Sequence, residues 1–293
     1  MSFKSRLKEK TPVVAPGIYD SLTASVAEAS GFEALYLSGA GIAYTRLGRP
    51  DIGLVSMFEV AETLTMVCDR VEIPVIVDAD TGYGNALNVE RCIRLFEKAG
   101  ARAIQLEDQT MPKRCGHLAD KQIIPASEMV GKIHAAVDSR KSEETLIVGR
   151  TDSLAIEGVS AAIERAQMYA EAGADVLFVE APRSRDDLAE IATRLGTETP
   201  LLANMVEGGS TPIMHATNLG ELGYSIVIFP GGIVRFLGFA MTEYYQSLAK
   251  NGSNRPMADR MFDFTQLNGI LGTPEILARG QAYETVGKKE NDA

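Results

Sequence analysis

Short apolar runs recur along the whole chain at near-regular intervals. Val13 to Ala15, Ala34 to Leu37, Pro74 to Val77, Ala103 to Leu106, Leu146 to Val148, Val176 to Val179, Leu201 to Ala203 and Ile226 to Phe229 make eight. Most lack polar alternation, the pattern of parallel strands covered on both faces. Between most of them lie amphipathic segments with helical spacing: Ser21 to Ser30, Ser56 to Arg70, Asn88 to Ala99, Ser127 to Ser139, Ser160 to Ala172, Arg185 to Leu195 and Val234 to Ala249. Several open on Ser or Asn, whose side chains cap helix N-termini. Gly31, Gly100, Gly173 and Gly223 stand between a helix end and the next strand, where a left-handed C-cap is wanted. They precede the even-numbered strands, whereas the first, third and seventh strands follow T-P, I-P and T-P.

This alternation predicts an α/β chain of repeated βαβα units, closed as a (β/α)8 TIM barrel over residues 1–250, near the ~250 residues typical of that fold. A doubly wound open sheet is the alternative, but no G-x-G-x-x-G follows the first strand. Residues 251–293 open on G-S-N-R-P and carry an apolar stretch from Phe262 to Leu277. A barrel does not need them, and they read as a linker and helical oligomerisation segment.

Composition narrows the class. A formal net charge of −10 over 293 residues argues against a general nucleic-acid binder. No apolar run approaches the ~18 residues of a membrane span. The start, M-S-F-K-S-R-L-K-E-K, is basic without the apolar core of a signal peptide, so a cytoplasmic protein is expected. Cys68, Cys92 and Cys115 cannot form a disulfide framework, and His117, His134 and His215 are too scattered for a zinc site.

Chemistry gathers where the strands stop, and in a barrel the site lies at the C-terminal strand ends. Those ends read Tyr19-Asp20, Ser38 to Gly41, Asp78-Ala79-Asp80, Glu107-Asp108, Arg150-Thr151-Asp152, Glu180, Asn204 and Pro230-Gly231-Gly232. Asp78 and Asp80 are two apart on a strand and start on the same face. With Glu107 they put three carboxylates in a small volume, a cluster that a hard divalent cation such as Mg²⁺ resolves. The competing reading has Arg150, Lys113 and Arg114 neutralise it as salt bridges. The densest stretch is E-D-Q-T-M-P-K-R-C-G-H, Glu107 to His117, which Pro112 and Gly116 keep out of regular structure. Cys115 there has Lys113, Arg114 and His117 within two residues, and cations favour its thiolate. Small residues Gly39, Ala40 and Gly41 let backbone N–H groups approach a ligand anion.

These motifs resemble one family. S-G-A-G, P-D-I-G, D-A-D-T-G-Y-G-N, L-E-D-Q, K-R-C-G-H, G-R-T-D, V-E-A-P and L-L-A-N-M-V-E-G-G are similar to the isocitrate lyase and phosphoenolpyruvate mutase superfamily over roughly residues 5 to 290. Within it they sit nearest the group of 2,3-dimethylmalate lyases, 2-methylisocitrate lyases and carboxyvinyl-carboxyphosphonate phosphorylmutases. The resemblance implies a barrel, Mg²⁺ (with Mn²⁺ able to substitute), and a C-terminal helix exchanged between subunits of a homotetramer. The substrate it implies is a small di- or tricarboxylic acid of the 2-oxo or 2-hydroxy kind. Residue by residue, Asp78, Asp80 and Glu107 would hold the metal, with Asp51 beside them. Ser38, Gly39 and Ala40 would hold the substrate, Arg150 its oxyanion or carboxylate, and Glu180 and Asn204 would line the pocket. Lys113, Cys115, Gly116 and His117 would lie on a gating loop, with Cys115 protonating the carbanion left after bond cleavage. The hydroxyl proton would go to Tyr36, Glu180 or a metal-bound water, and Arg235 would take a second carboxylate. N-M-V-E-G-G-S-T-P looks like the dimethylmalate lyase and carboxyphosphonoenolpyruvate mutase side, and Gly231-Gly232 replaces a bulkier residue and a hydroxyl usual in methylisocitrate lyases. A mutase, an oxaloacetate decarboxylase or hydrolase, and a non-catalytic barrel that binds a diacid are the rival readings.

Overall fold

The protein is described by a computed structural model covering residues 2–116, 120–196 and 198–289. Eight parallel strands close into a barrel: β1 Val13–Ile18, β2 Leu35–Leu37, β3 Val75–Asp78, β4 Ala103–Glu107, β5 Leu146–Thr151, β6 Val176–Val179, β7 Leu201–Asn204 and β8 Ile226–Phe229, with β8 paired back to β1. One major helix follows each strand: α1 Ser21–Ala29, α2 Met57–Arg70, α3 Ala86–Lys98, α4 Ala126–Ser139, α5 Val159–Glu171, α6 Arg185–Leu195, α7 Ala216–Leu222 and α8 Gly232–Asn251. The expected (β/α)8 architecture is therefore present.

Local signals explain the punctuation. Ser56 caps α2 and its Glu59 returns the bond, a reciprocal pair that satisfies two orphan N–H groups. Asn85 rather than Asn88 caps α3; Asn88 is the returning partner three residues in, so the helix starts earlier than its apolar spacing suggests. The seven residues of α7 were too short to show periodicity. Gly31, Gly100, Gly173 and Gly223 all adopt positive φ, as the left-handed caps require.

The core has two parts. Inside the barrel, Val13, Ala15, Tyr36, Ile76, Ala103, Val148, Phe178, Leu202 and Ile228 pack together. Between strands and helices, Leu37, Val77, Ile104, Leu106, Ile147, Leu177 and Val227 pack against Leu64, Ile93, Phe96, Ile133, Tyr169 and Ile191. This two-sided burial is why the strands read as unbroken apolar runs.

The chain divides into two compact units, residues 1–235 and 236–293, so the barrel belongs wholly to the first. The second holds most of α8, a 3-10 turn Arg255–Arg260 and helices Phe264–Leu271 and Thr273–Lys289. Within it Arg260 pairs with Glu243 at 2.9 Å, and Asp263 caps the following helix. Among the described residues, no helix is long and apolar enough to cross a membrane.

Candidate active site

Strand geometry alone fills the C-terminal mouth. Side chains two apart point the same way. The inner-face series therefore run Tyr36-Ser38, Ile76-Asp78, Ala103-Gln105-Glu107, Val148-Arg150, Phe178-Glu180, Leu202-Asn204 and Ile228-Pro230, apolar at depth and, except at Pro230, polar toward the end. The β4–β5 register sets Glu107 directly across from Arg150.

Arg150 is the hub. Its Nε donates to Asp152 Oδ2 at 2.9 Å and its Nη2 to Asp152 Oδ1 at 3.1 Å. Nη1 lies 3.3 Å from Glu107 Oε2, Nη2 lies 3.5 Å from Glu180 Oε2, and the guanidinium stacks 5.1 Å from the Phe178 ring centroid. A planar, always-charged fork suits this multiple pairing where a lysine would not. Burial resists a charged Asp152, but Arg150 and Lys121 overcome it and hold its carboxyl down to about 2. Burial drives Glu107 well above the usual carboxylate range, with Arg150 opposing and Asp152 adding repulsion. Glu107 Oε1 is buried without a hydrogen-bond partner, as is Asn204 Oδ1, although Asn204 Nδ2 donates to both Glu180 oxygens at 3.3 and 3.2 Å.

Around β3, Lys113 Nζ sits 2.6 Å from Asp51 Oδ1 and 2.7 Å from Asp80 Oδ1. Burial works against its ammonium, but Asp80 and Asp51 keep it protonated, well above the usual lysine range. Burial raises Asp80 to about 7; Lys113 pulls the other way, and Asp78 and Asp51 add repulsion. Asp78 Oδ1 accepts from the Asp80 N–H and from Gln105 Nε2, both at 3.1 Å. The Gln105 Oε1 in turn accepts from the Tyr36 hydroxyl at 2.9 Å. Burial, with Asp78 nearby, pushes the Tyr36 phenol well above its ordinary value, so it is neutral and a donor.

Among the described residues, no three His, Cys, Asp or Glu side chains are gathered closely enough to hold a metal in this arrangement. Ion pairs with Lys113 and Arg150 meet the carboxylates instead, and Arg114 faces Asp120 at 3.7 Å outside the cluster. The donor chemistry nevertheless suits a hard divalent cation: buried carboxylates, one orphaned oxygen on Glu107, and a mutually repelling Asp78–Asp80–Asp51 group.

The segment after β4 is pinched at its base by a Gln109–Ile123 bridge and by the Thr110 N–H donating to the Gln122 carbonyl. Gln109 grips the Arg114 backbone from both sides, its Nε2 and Oε1 each at 2.9 Å. The Cys115 N–H donates to the Asp51 carbonyl at 3.2 Å, and Gly116 presses on the hub: a Cβ there would lie 2.3 Å from Arg150 Nη2 and 2.7 Å from Glu180 Cγ. His117 lies outside the described residues.

Of the residues expected from the sequence, Tyr36, Ser38, Ala40, Asp51, Asp78, Glu107, Lys113, Cys115, Gly116, Arg150, Glu180, Asn204 and Arg235 share one cavity. Asp80 lies just beneath, under Lys113. Gly39 faces the β3 carboxylates, where a Cβ would meet Asp78 Oδ2 at 3.4 Å. Ser38 caps a four-residue helix, its Oγ accepting from the Gly41 N–H, so that N–H is already engaged. Asp20 is likewise taken, capping α1. Gln105, Asp152 and Lys121 emerge as partners that the sequence reading did not assign. Gln105 carried a signal as a lone amide inside an apolar strand, and Asp152 stood among the polar strand ends; Lys121 carried none. A wider cleft opens at the opposite end of the barrel, between Lys8–Pro12 and the turns before β7 and β8, away from this convergence.

Residues 3–249 match the phosphoenolpyruvate phosphomutase family. The chain belongs to that family. It is an enzyme of the isocitrate lyase/phosphoenolpyruvate mutase superfamily, and its lyase relatives place it with the carbon–carbon lyases. It is 41% identical over 279 residues to a 2,3-dimethylmalate lyase of Eubacterium barkeri, covering 95% of this chain and 96% of the relative. It is 46% identical over 266 residues to a 2-methylisocitrate lyase of Aeropyrum pernix, covering 91% and 85%. Among solved structures, an oxaloacetate acetylhydrolase in complex with 3,3-difluorooxalacetate superposes with a TM-score of 0.91 at 30% identity, over 97% of this chain and 96% of that one. A phosphonopyruvate hydrolase in complex with oxalate and Mg²⁺ gives 0.85 at 26% identity, over 94% and 95%.

Proposed function

We propose that the protein is a Mg²⁺-dependent lyase that cleaves a substituted malate, of the 2,3-dimethylmalate or 2-methylisocitrate kind, to a 2-oxo acid and a carboxylic acid. The relatives' activities motivate the substrate class, and the seating of the Cys115–Gly116 turn against Arg150 and Glu180 carries the reading. Asp78, Asp80 and Glu107 would hold the metal, which when bound would supply Lewis-acid stabilisation of the negative charge that forms on the substrate's 2-hydroxyl oxygen as its proton leaves. Arg150, its fork fixed by Asp152, binds the substrate carboxylate beside that oxygen. Glu180 takes the hydroxyl proton. Tyr36 does not, because its hydrogen is directed at Gln105 and its phenol is neutral. Carbon–carbon cleavage then leaves a carboxylate-stabilised carbanion, and the Cys115 Sγ–H protonates it. Lys113 and Asn204 hold the surrounding carboxylates in place.

Arg235, 3.3 Å from Glu207 at the mouth, reaches the second carboxylate. The second unit exposes Phe236, Phe239, Phe262 and Phe264, an apolar surface that supports assembly as a cytoplasmic homotetramer through the C-terminal helices. The test is 2-oxo acid release from 2,3-dimethylmalate, 2-methylisocitrate and oxaloacetate, with Mg²⁺ and after EDTA. Turnover of a substituted malate that disappears on chelation and returns with Mg²⁺ or Mn²⁺ is expected. Preference for oxaloacetate, or full activity after exhaustive chelation, rejects the proposal.

A further inference from the structure

Lys121 lies near the end of the 109–123 excursion, with its side chain only 3% exposed. A buried ammonium must have its protons answered. Its donors go to two places: the Gly116 carbonyl, within the excursion, and Asp152 Oδ1 at 2.8 Å, past the end of β5. Each partner leads directly to the site. Asp152 holds Arg150 through two hydrogen bonds, and its own N–H is fixed by Asp108 Oδ1 at 2.8 Å. Gly116 follows Cys115 and sits where even a methyl group would strike Arg150 and Glu180. Neutralising Asp152 alone needs no carbonyl from the excursion. The double attachment makes the seating of the Cys115 turn and the aim of the Arg150 guanidinium one event.

We infer that Lys121 is a positioning residue, which seats Cys115 over Arg150 and Glu180 by bridging the Gly116 carbonyl to the Asp152 carboxylate. Its effect on turnover rests on the lyase reading; its effect on Cys115 does not. Lys121→Met, Lys121→Arg and Asp152→Asn are therefore compared with wild type in the full chain. Arg165→Met is the control, since Arg165 pairs with Glu157 and Asp108 behind the same strands. The rate of Cys115 alkylation by iodoacetamide, followed by peptide mass spectrometry, needs no substrate. Losing a hydrogen bond to a charged group shifts an equilibrium by about tenfold or more, so Lys121→Met and Asp152→Asn should alkylate faster by about that factor. Lys121→Arg, which keeps donors for both oxygens, should stay near the wild-type rate. Arg165→Met should lower the melting temperature and leave alkylation unchanged. On a malate that the wild type turns over, Lys121→Met should lose kcat on the order of a hundredfold with KM nearly constant, the cost of a misplaced group. Equal alkylation in wild type, Lys121→Met and Asp152→Asn overturns the inference, as does an equal rise in Arg165→Met. If Lys121→Met does not fold, Asp152→Asn alone decides in the same way. A wild type that cleaves no substituted malate rejects the lyase reading and leaves the alkylation result standing.

Discussion

Replacing Gly116 by alanine adds one methyl group at the most crowded point of the site. That carbon would lie 2.3 Å from Arg150 Nη2, 2.7 Å from Glu180 Cγ and 2.9 Å from Glu180 Cδ. Contacts below about 3 Å require something to move, and Arg150 is the wrong group to move. It is buried and tied to Asp152 twice, to Glu107 and to Glu180. The Cys115–Gly116 turn lies on an irregular segment, where Lys121 and Asp51 are among its anchors, so it is the part that should lift. Overpacking in a tight site costs roughly 1–3 kcal/mol. If that cost falls on the seated arrangement alone, its population relative to the lifted one drops about 5- to 150-fold, since each 1.36 kcal/mol is a factor of ten. Initial rates on the substituted malate turned over by the wild type should fall by this range in kcat. The melting temperature should hardly change, because a lifted turn relieves the clash without disturbing the barrel. Gly116→Ala with kcat within about twofold of wild type, well outside the range set by overpacking, would refute the seated geometry as the reactive one.

Cys115→Ser should lower kcat by about a hundred- to ten-thousand-fold with little change in KM, because a serine hydroxyl is a poor proton donor to a carbanion; a fully active variant rules out Cys115 as the acid. Arg235→Ala should raise KM for a substituted malate by about tenfold or more, the loss of a charged hydrogen bond, while oxalate binding by calorimetry is spared. Its melting temperature should not move, since the half-exposed pair with Glu207 adds little stability. Tyr169→Phe removes a hydroxyl that donates to Asp108 Oδ2 at 2.7 Å in the buried layer behind β4. Thr151 still donates to that oxygen at 2.7 Å, so the loss is one hydrogen bond to a charged group, about 1.5–3 kcal/mol; scanning calorimetry should show a melting temperature lower by several degrees with kcat unchanged, and an unaltered melting temperature contradicts that role.

The barrel was legible because it is a repeating problem with a repeating solution: apolar runs, helical spacing and C-cap glycines recur once or twice per unit. The site was legible where it lies on strand ends, since two-residue periodicity alone puts Asp78, Glu107, Arg150, Glu180 and Asn204 on the inner face. It was less legible where a side chain's partner is remote. Nothing local tells Lys121 to reach Asp152, 31 residues away, and nothing tells Ser38 to cap a helical turn rather than a ligand. The neighbours of Asp51 were equally hidden, because Lys113 arrives from an irregular segment without periodicity to place it.

Glu107 and Asp108 stand next to one another yet serve opposite sides of the wall. Glu107 looks into the mouth with an oxygen uncommitted. Asp108 looks outward and is spoken for by Thr151, Tyr169 and the Asp152 N–H, at 2.7, 2.7 and 2.8 Å. One peptide bond thus separates a residue tuned for chemistry from one tuned for endurance. An engineer can heat-harden this protein from behind, through Asp108 and the α5 residues that meet it, while libraries aimed at new substrates vary the mouth. The two campaigns meet at the Asp152 backbone, where the outer carboxylate grips the strand end that aims Arg150.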